Sequence, residues 1–389
     1  MPDTGPENMT NYIAHLPPKT ARDFVNGLIT ARFGERFTFT HCLTFGALFY
    51  YFMIRLQFSG FVLPISQGMI PDAGIETHPH LVGFPILLQL LRLDDASAYI
   101  AYPTLLTLSL PALWVYLVIR HRVPLLIATC LMLATIQSPI ISHVGITPNT
   151  DFLTAWLTTA TALLVLEKPH ARWWHFVFFL MAMMTHQRSL VLVPGLVMLA
   201  VATAYPAPHQ SPRMAWRTYL IASVPFAAAA IVFFVFKEAY FHVYPVTGVA
   251  REITFLEQFN RVFRPEMAID KMQGGPFAYI FSIDNVIHNG LYYFSFLIAF
   301  WGMVRLRDYG AASVPILLHF GIISQLLVAE DIHRLTGFIL VITLLLAIWS
   351  ARSDWPYPRM TIAFFAVGTF TLYIRNLKRA FDLLSGSVA

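Results

Sequence analysis

Charged residues are the scarcest class in this sequence. Only 12% of its 389 residues are Asp, Glu, Lys or Arg, and 57% are hydrophobic, whereas a soluble domain carries about 25% charged residues. A water-soluble core cannot absorb that much apolar surface, so we expect the solvent of this chain to be lipid. The net charge of +5 is modest and suits basic loops of a membrane protein, which argues against a nucleic-acid partner.

Cysteine is also scarce. The chain has two, Cys42 and Cys130, and both lie within apolar runs without the spacing of a metal site. A disulfide framework is therefore not expected. We do not expect a cleavable signal peptide either, because the first 37 residues are polar and mixed and contain no early apolar segment.

Long apolar runs are abundant, and many reach the roughly 20 residues that a transmembrane helix needs. We predict an all-α fold, a polytopic bundle of about eleven spans with short amphipathic helices in the outer loops. Residues 1–37 form a cytoplasmic segment in which 23–33 is either an interfacial helix or part of an ordered soluble tail. The bundle follows at 38–374 and a C-terminal tail at 375–389. The spans are expected at roughly 38–58, 98–119, 123–143, 151–166, 173–185, 189–205, 218–236, 286–304, 311–328, 335–351 and 360–374.

Basic and non-basic loops alternate along this topology. The positive-inside rule places the basic loops in the cytoplasm and the alternate loops outside, where nearly all residues suited to chemistry then lie. Only the basic tail after the last span disagrees. We therefore predict a multi-pass protein of a bacterial inner membrane with its site on the extracytoplasmic side. The basic loops are 120–122, 167–172, 213–217, 305–307 and 352–359, and the outer loops are 59–97, 144–150, 186–188, 237–285 and 329–334.

The first outer loop contains the stretch GMIPDAGIETHPHLVGFP, residues 68–85, which concentrates Asp72, Glu76, His78 and His80. A carboxylate near the bilayer surface suits a general base acting on a hydroxyl group. The alternative is a solvated loop that its prolines keep out of helical conformation. The two histidines are interpreted as groups that bind sugar hydroxyls or phosphate, because two ligands do not complete a metal site.

Two further polar sites lie at span ends. Asp151 follows ITPNT at the start of a span, where a carboxylate either takes part in chemistry or stabilises the positive helix end. The triplet His186-Gln187-Arg188 separates two apolar runs. Arg188 either grips a phosphate bidentately or belongs to a hairpin turn and extends to the lipid headgroups.

A late outer loop carries Glu330-Asp331 and His333-Arg334. Ionisable residues next to a span usually face the protein interior or a cavity. In one interpretation Arg334 holds a phosphate while Asp331 orients it, and in the other the two form a surface ion pair of little energetic weight.

Taken in order, these motifs resemble those of the GT-C superfamily of integral-membrane glycosyltransferases. The matching stretches are the early Asp72, the HPHLVGFP run, ITPNTDFL, MTHQRSLVLVP and DIHR. The resemblance implies a polyprenyl-phosphate-linked sugar as donor, Asp72 as the catalytic base and Arg334 near the lipid phosphate. Superfamily members often pair the first-loop acid with a second one, whereas Ala73-Gly74 follow here.

The hypothesis is therefore transfer of a sugar from that donor to a lipid, glycan or protein acceptor. Arg334, with Arg188 or basic residues of 237–285, stabilises the leaving phosphate in this hypothesis. No complete metal ligand set is visible, so dependence on Mg²⁺ or Mn²⁺ stays open. The alternatives are a transporter or flippase of a lipid-linked or polar solute, and a non-catalytic assembly subunit. The expected substrate-binding residues are His78, His80, Asp151, His186, Arg188, Asp331, His333 and Arg334.

Overall fold

A computed structural model of the chain describes residues 21–33, 44, 46, 109, 111–137, 150–204, 212–243, 294–326, 338 and 340–384. Within these ranges the chain forms helices joined by turns and contains no strand, which confirms the all-α prediction. Several predicted site residues lie outside the described residues, as does the outer loop at 59–97. They are Asp72, His78, His80, Asp331, His333 and Arg334.

Two described helical stretches, Gln187–Ala204 and Trp216–Tyr240, are long and apolar enough to cross a membrane, and shorter apolar helices accompany them. The last turn of α2, Tyr116–Arg120, is π-helical, and a 3-10 turn, Gln187–Leu192, precedes α6. The helices are α1 Ala21–Thr30, α2 Pro111–Arg120, α3 Leu125–Gln137, α4 Thr150–Glu167, α5 Arg172–Thr185, α6 Val193–Ala204, α7 Pro212–Val243, α8 Ser295–Arg305, α9 Tyr309–Leu326, α10 Leu340–Ser350 and α11 Pro358–Leu384.

The limits of α7 differ from the prediction. A span was expected at 218–236 between polar segments, but the helix runs from Pro212 to Val243. The predicted loop at 213–217 and the start of the predicted polar segment at 237 are therefore helical. Hydropathy ends a predicted span at the first charges, whereas charged residues are compatible with helical turns and do not end a helix by themselves, and 226–243 contains neither glycine nor proline. For the same reason α11 extends beyond residue 374 to Leu384.

Helix α10 lies at the centre of the described bundle. Every residue from Leu340 to Ser350 is buried, and the helix contacts α3, α4, α8 and α9. A helix that is apolar on all sides is compatible with such a fully enclosed position. Its one internal hydroxyl, that of Thr343, donates a hydrogen bond to Ser295 of α8 at 3.3 Å, so that polar group is satisfied within the core.

The basic turns that the sequence places on one side do meet at one end of the bundle, which we call the basic end (turns 31–32, 121–124, 168–171, 306–308 and 351–357). Arg32 donates a hydrogen bond to the carbonyl oxygen of Ala351 at 3.3 Å. The backbone N–H of Leu125 donates to the carbonyl oxygen of Ala31 at 3.0 Å. Arg120 pairs with Glu167 at 3.2 Å. The contacts of Ala31 and Arg32 also attach the end of α1 to the bundle.

Candidate functional site

Helix α5 ends in a sharp turn on the side of the bundle opposite the basic end. α5 ends at Thr185, and His186 is extended, with φ −162° and ψ 120°. The chain then forms the 3-10 turn before α6 starts at Val193. Pro194 fits there because a proline in the first helical turn sacrifices no intrahelical hydrogen bond. The structure therefore confirms that the helix is interrupted at 186–188, as the sequence predicts, and shows that the interruption is a 3-10 turn.

Buried hydroxyl groups hold this break in place. Thr154 of α4 donates to the hydroxyl of Thr185 at 2.9 Å, and Thr185 donates to the carbonyl oxygen of Ala182 at 2.8 Å. The Ser189 hydroxyl lies 3.2 Å from the same carbonyl oxygen and 3.0 Å from that of His186. All three hydroxyl side chains are fully buried. The 3-10 turn is thus tied to both α4 and α5.

His186 acts as a cap for the turn. Its side chain is buried, and its Nδ1 accepts a hydrogen bond from the backbone N–H of Arg188 at 3.2 Å. A ring nitrogen that accepts carries no proton, so this geometry assigns the neutral tautomer with its proton on Nε2. The His186 ring therefore holds the backbone at Arg188 in place.

A second cation reaches the turn from α7. The side chain of Lys237 is only 6% exposed, and its Nζ donates to Oε1 of Gln187 at 3.0 Å. A buried ammonium group is costly unless polar partners receive it, and Gln187 supplies one such partner. The half-buried Arg188 is the next residue. We call His186, Gln187, Arg188 and Lys237 the cationic recess.

The recess lies below the tip of α7. That helix continues for six residues past Lys237 to Val243, which is ~9 Å at 1.5 Å per residue. Helix α9 closes the opposite side, because Gly321 packs directly on the backbone carbonyl of Val191 in the 3-10 turn. The ammonium group of Lys237 is therefore held inside the end of the bundle rather than on its rim.

An apolar groove of about 460 Å³ adjoins the 3-10 turn. Leu190 and Val191 of the turn form part of its wall, so the groove begins next to the recess. A ligand that combines an anionic group with a hydrocarbon chain matches both features, since the recess supplies cations and the groove supplies apolar surface. The groove is lined by Leu190, Val191, Pro194, Leu317, Phe320, Gly321 and Ser324.

Three predicted site residues can be located. His186 and Arg188 are both part of the recess. Asp151 is the second residue of α4, which begins at Thr150, so its backbone occupies the first helical turn as the sequence predicts. Within the described ranges, no three His, Cys, Asp or Glu side chains come together as a metal site would require.

Sequence reasoning did not identify Lys237 or the buried threonines. Lys237 is a lone cation in the run FFVFKEAYF, and an ionisable residue inside an apolar segment is a candidate functional residue by default. Thr154 and Thr158 are four residues apart, the spacing of one helix face, and both are fully buried. These two signals were present in the sequence.

No protein-family model matches this chain, and neither a curated protein nor a solved structure matches it with significant similarity. A function for this chain must therefore be inferred from the residues and the geometry of the cationic recess and the apolar groove.

Proposed function

We propose that this protein is a multi-pass membrane glycosyltransferase of the GT-C type, with about eleven spans, that uses a polyprenyl-phosphate-linked sugar. The observation that carries the proposal is the cationic recess, where the buried Lys237 contacts Gln187 beside Arg188. The acceptor is a lipid, glycan or protein at the extracytoplasmic face of a bacterial inner membrane. The recess lies at the end of the bundle opposite the basic end, which the positive-inside rule assigns to the cytoplasm.

The donor fits the two halves of the site. Its phosphate meets Arg188 and Lys237, and its polyprenyl chain follows the groove beside Leu190 and Phe320. Positive charges already fixed in a water-poor recess stabilise a leaving phosphate without reorganising during the reaction. Arg334 adds a third cation in this proposal.

The chemical step is a displacement at the anomeric carbon. Asp72 removes the proton of the acceptor hydroxyl, whose oxygen forms a bond to that carbon. The bond from the carbon to the phosphate oxygen breaks, and its electron pair leaves with polyprenyl phosphate. His78, His80, Asp151, His333 and Asp331 bind the sugar or orient the phosphate ligands.

Asp72→Asn tests the proposal. We expect it to abolish sugar transfer, because an amide cannot accept the proton of the acceptor, while expression and thermal stability stay normal. The full chain in liposomes is given a panel of polyprenyl-phosphate sugars together with a membrane lipid extract as acceptor, and released polyprenyl phosphate is measured. Glu76→Gln, in the same loop, is the matched control and should retain activity. Full activity of Asp72→Asn would remove Asp72 from the role of base.

The same liposomes separate an enzyme from a transporter or flippase. An enzyme cleaves the bond between sugar and phosphate, and free polyprenyl phosphate accumulates. A flippase moves the intact lipid-linked sugar to the other leaflet without cleaving it. Movement of intact donor with no polyprenyl phosphate released would therefore contradict the proposed function.

A further inference from the structure

The face of α7 that packs on α5 carries a lysine at a position where an apolar residue would continue its pattern. Phe226, Ala229 and Phe233 are fully buried along this face, and Lys237 follows one turn later and is buried as well. Intervals of three and four residues are the spacing of one helix face. An apolar side chain at 237 would avoid the cost of burying a charge, so the lysine is a candidate functional residue.

The ammonium group of Lys237 is held by the turn that follows α5. The two helices pack closely before that point, where the ring of Phe226 lies 5.2 Å from the ring of Phe179, centroid to centroid. They meet again at the recess, where Nζ of Lys237 donates to Oε1 of Gln187 at 3.0 Å. Buried hydroxyl groups tie the 3-10 turn of Gln187 to α4 and α5. The amide oxygen is therefore a positioned acceptor for the ammonium group.

The acceptor that Gln187 offers is neutral. Glutamate has the same shape and would accept the same hydrogen bond, strengthened by the charge of both partners. Its carboxylate would also cancel the charge of Lys237 and weaken the attraction of the recess for an anion. A carboxylate would thus serve a purely structural contact at least as well, whereas anion binding favours the uncharged amide.

We infer that Gln187 is the positioning residue of the cationic recess: its amide oxygen holds the ammonium group of Lys237 for the donor phosphate, and its neutrality does not cancel the charge of that group. The inference rests on the proposed function, because it takes the phosphate of a prenyl-linked donor as the anion. It adds that an uncharged acceptor at 187 makes the recess selective for anionic head groups. Gln187 acts through Lys237 in this arrangement.

The experiment measures binding of farnesyl phosphate, a short prenyl phosphate, to the full chain in detergent micelles, with farnesol as the uncharged analogue. Gln187→Glu should weaken binding of farnesyl phosphate about 30-fold, which corresponds to about 2 kcal/mol, because the new carboxylate pairs with Lys237 and repels the phosphate. Farnesol should bind equally to both proteins. The unfolding temperature should not fall, since the hydrogen bond is kept.

Two results of this titration would overturn the inference. The first is equal affinity of Gln187→Glu and the wild type for farnesyl phosphate, because a residue with only a structural role tolerates this exchange. The second is a wild-type protein that does not bind farnesyl phosphate more tightly than farnesol.

Ala239→Glu is the matched control. It adds the same charge two positions along α7 from Lys237, on an exposed residue that the ~100° rotation per residue places on the opposite side of the helix. This variant should bind farnesyl phosphate as the wild type does. An equal loss in Ala239→Glu and Gln187→Glu would show diffuse repulsion and overturn the assignment to Gln187.

Gln187→Met tests the positioning role without a change of charge. Loss of the acceptor allows the ammonium group to move, and we expect about 10-fold weaker binding of farnesyl phosphate. The same exchange in a Lys237→Met background should cause no further loss, because residues that act through one interaction are not additive. Full additivity of the two losses would show that Gln187 acts independently of Lys237 and would overturn the inference.

These binding measurements need neither a sugar nor an acceptor, so they separate the inference from the proposed function. Sugar transfer by the wild type together with unchanged affinity of Gln187→Glu would overturn the role of Gln187 and leave the glycosyltransferase in place. The expected loss of affinity in a protein that transfers no sugar would support the role of Gln187 in binding prenyl phosphate and would contradict the proposed function.

Discussion

Lys237→Met is expected to lower kcat/KM for a polyprenyl-phosphate-linked donor by about 100-fold, which corresponds to about 2.7 kcal/mol of transition-state stabilisation. Removal of one preorganised group that stabilises a developing negative charge typically lowers the rate by about this factor. Folding should change far less. The lost hydrogen bond to Gln187 costs about 1–3 kcal/mol, and this is offset because a buried charge no longer has to be desolvated.

Steady-state release of polyprenyl phosphate and a thermal unfolding curve measure the two effects separately. Lys237→Arg keeps the charge and should retain most activity. Glu238→Gln is the matched control, because it changes a charge one position along α7 on an exposed side chain, and it should behave as wild type. A Lys237→Met protein with wild-type kcat/KM would show that the recess does not hold the donor phosphate.

The position of the recess could be predicted from the sequence, but its composition could not. The triplet at 186–188 stands out because polar residues between two apolar runs end a helix, and the structure places the break there. Lys237 was assigned to the outer loop at 237–285 because the predicted span ended at residue 236, before the first charges. Its burial depends on Gln187, fifty residues earlier, and no local pattern reports such a pairing.

The apolar groove was likewise beyond sequence reasoning. Its two walls come from the 3-10 turn with the start of α6 and from α9, and neither wall differs in composition from any other apolar run. The all-α class and most helix centres, in contrast, follow from hydropathy alone, since a lipid-facing helix must satisfy its own backbone. Where hydropathy failed, as at both ends of α7, charged residues lie in helical turns that extend past the apolar segment.

Gly321→Ala is the second change with a large expected effect, although it touches neither cation. A Cβ atom at Gly321 would collide with the carbonyl oxygen of Val191 and lie 3.1 Å from its carbonyl carbon. Backbone atoms cannot rotate aside as a side chain can, so the 3-10 turn must move away from α9. Overpacking of this kind costs about 1–3 kcal/mol, against a gain of about 1 kcal/mol from the better helix propensity of alanine.

The displaced turn contains Arg188 and also Gln187, which accepts the hydrogen bond of Lys237. The substitution should therefore mainly lower the rate of sugar transfer. A shift of about 1 Å in positioning groups can lower a rate 100-fold, and we expect a loss of about that size with only a small change in the unfolding temperature. Gly310→Ala is the matched control on the same helix. Its added Cβ would meet Ala202 at an ordinary 3.5 Å, so both activity and stability should be kept. If Gly321→Ala retained full activity while Lys237→Met lost it, the recess would tolerate movement of the turn, and α9 would have no part in positioning the donor.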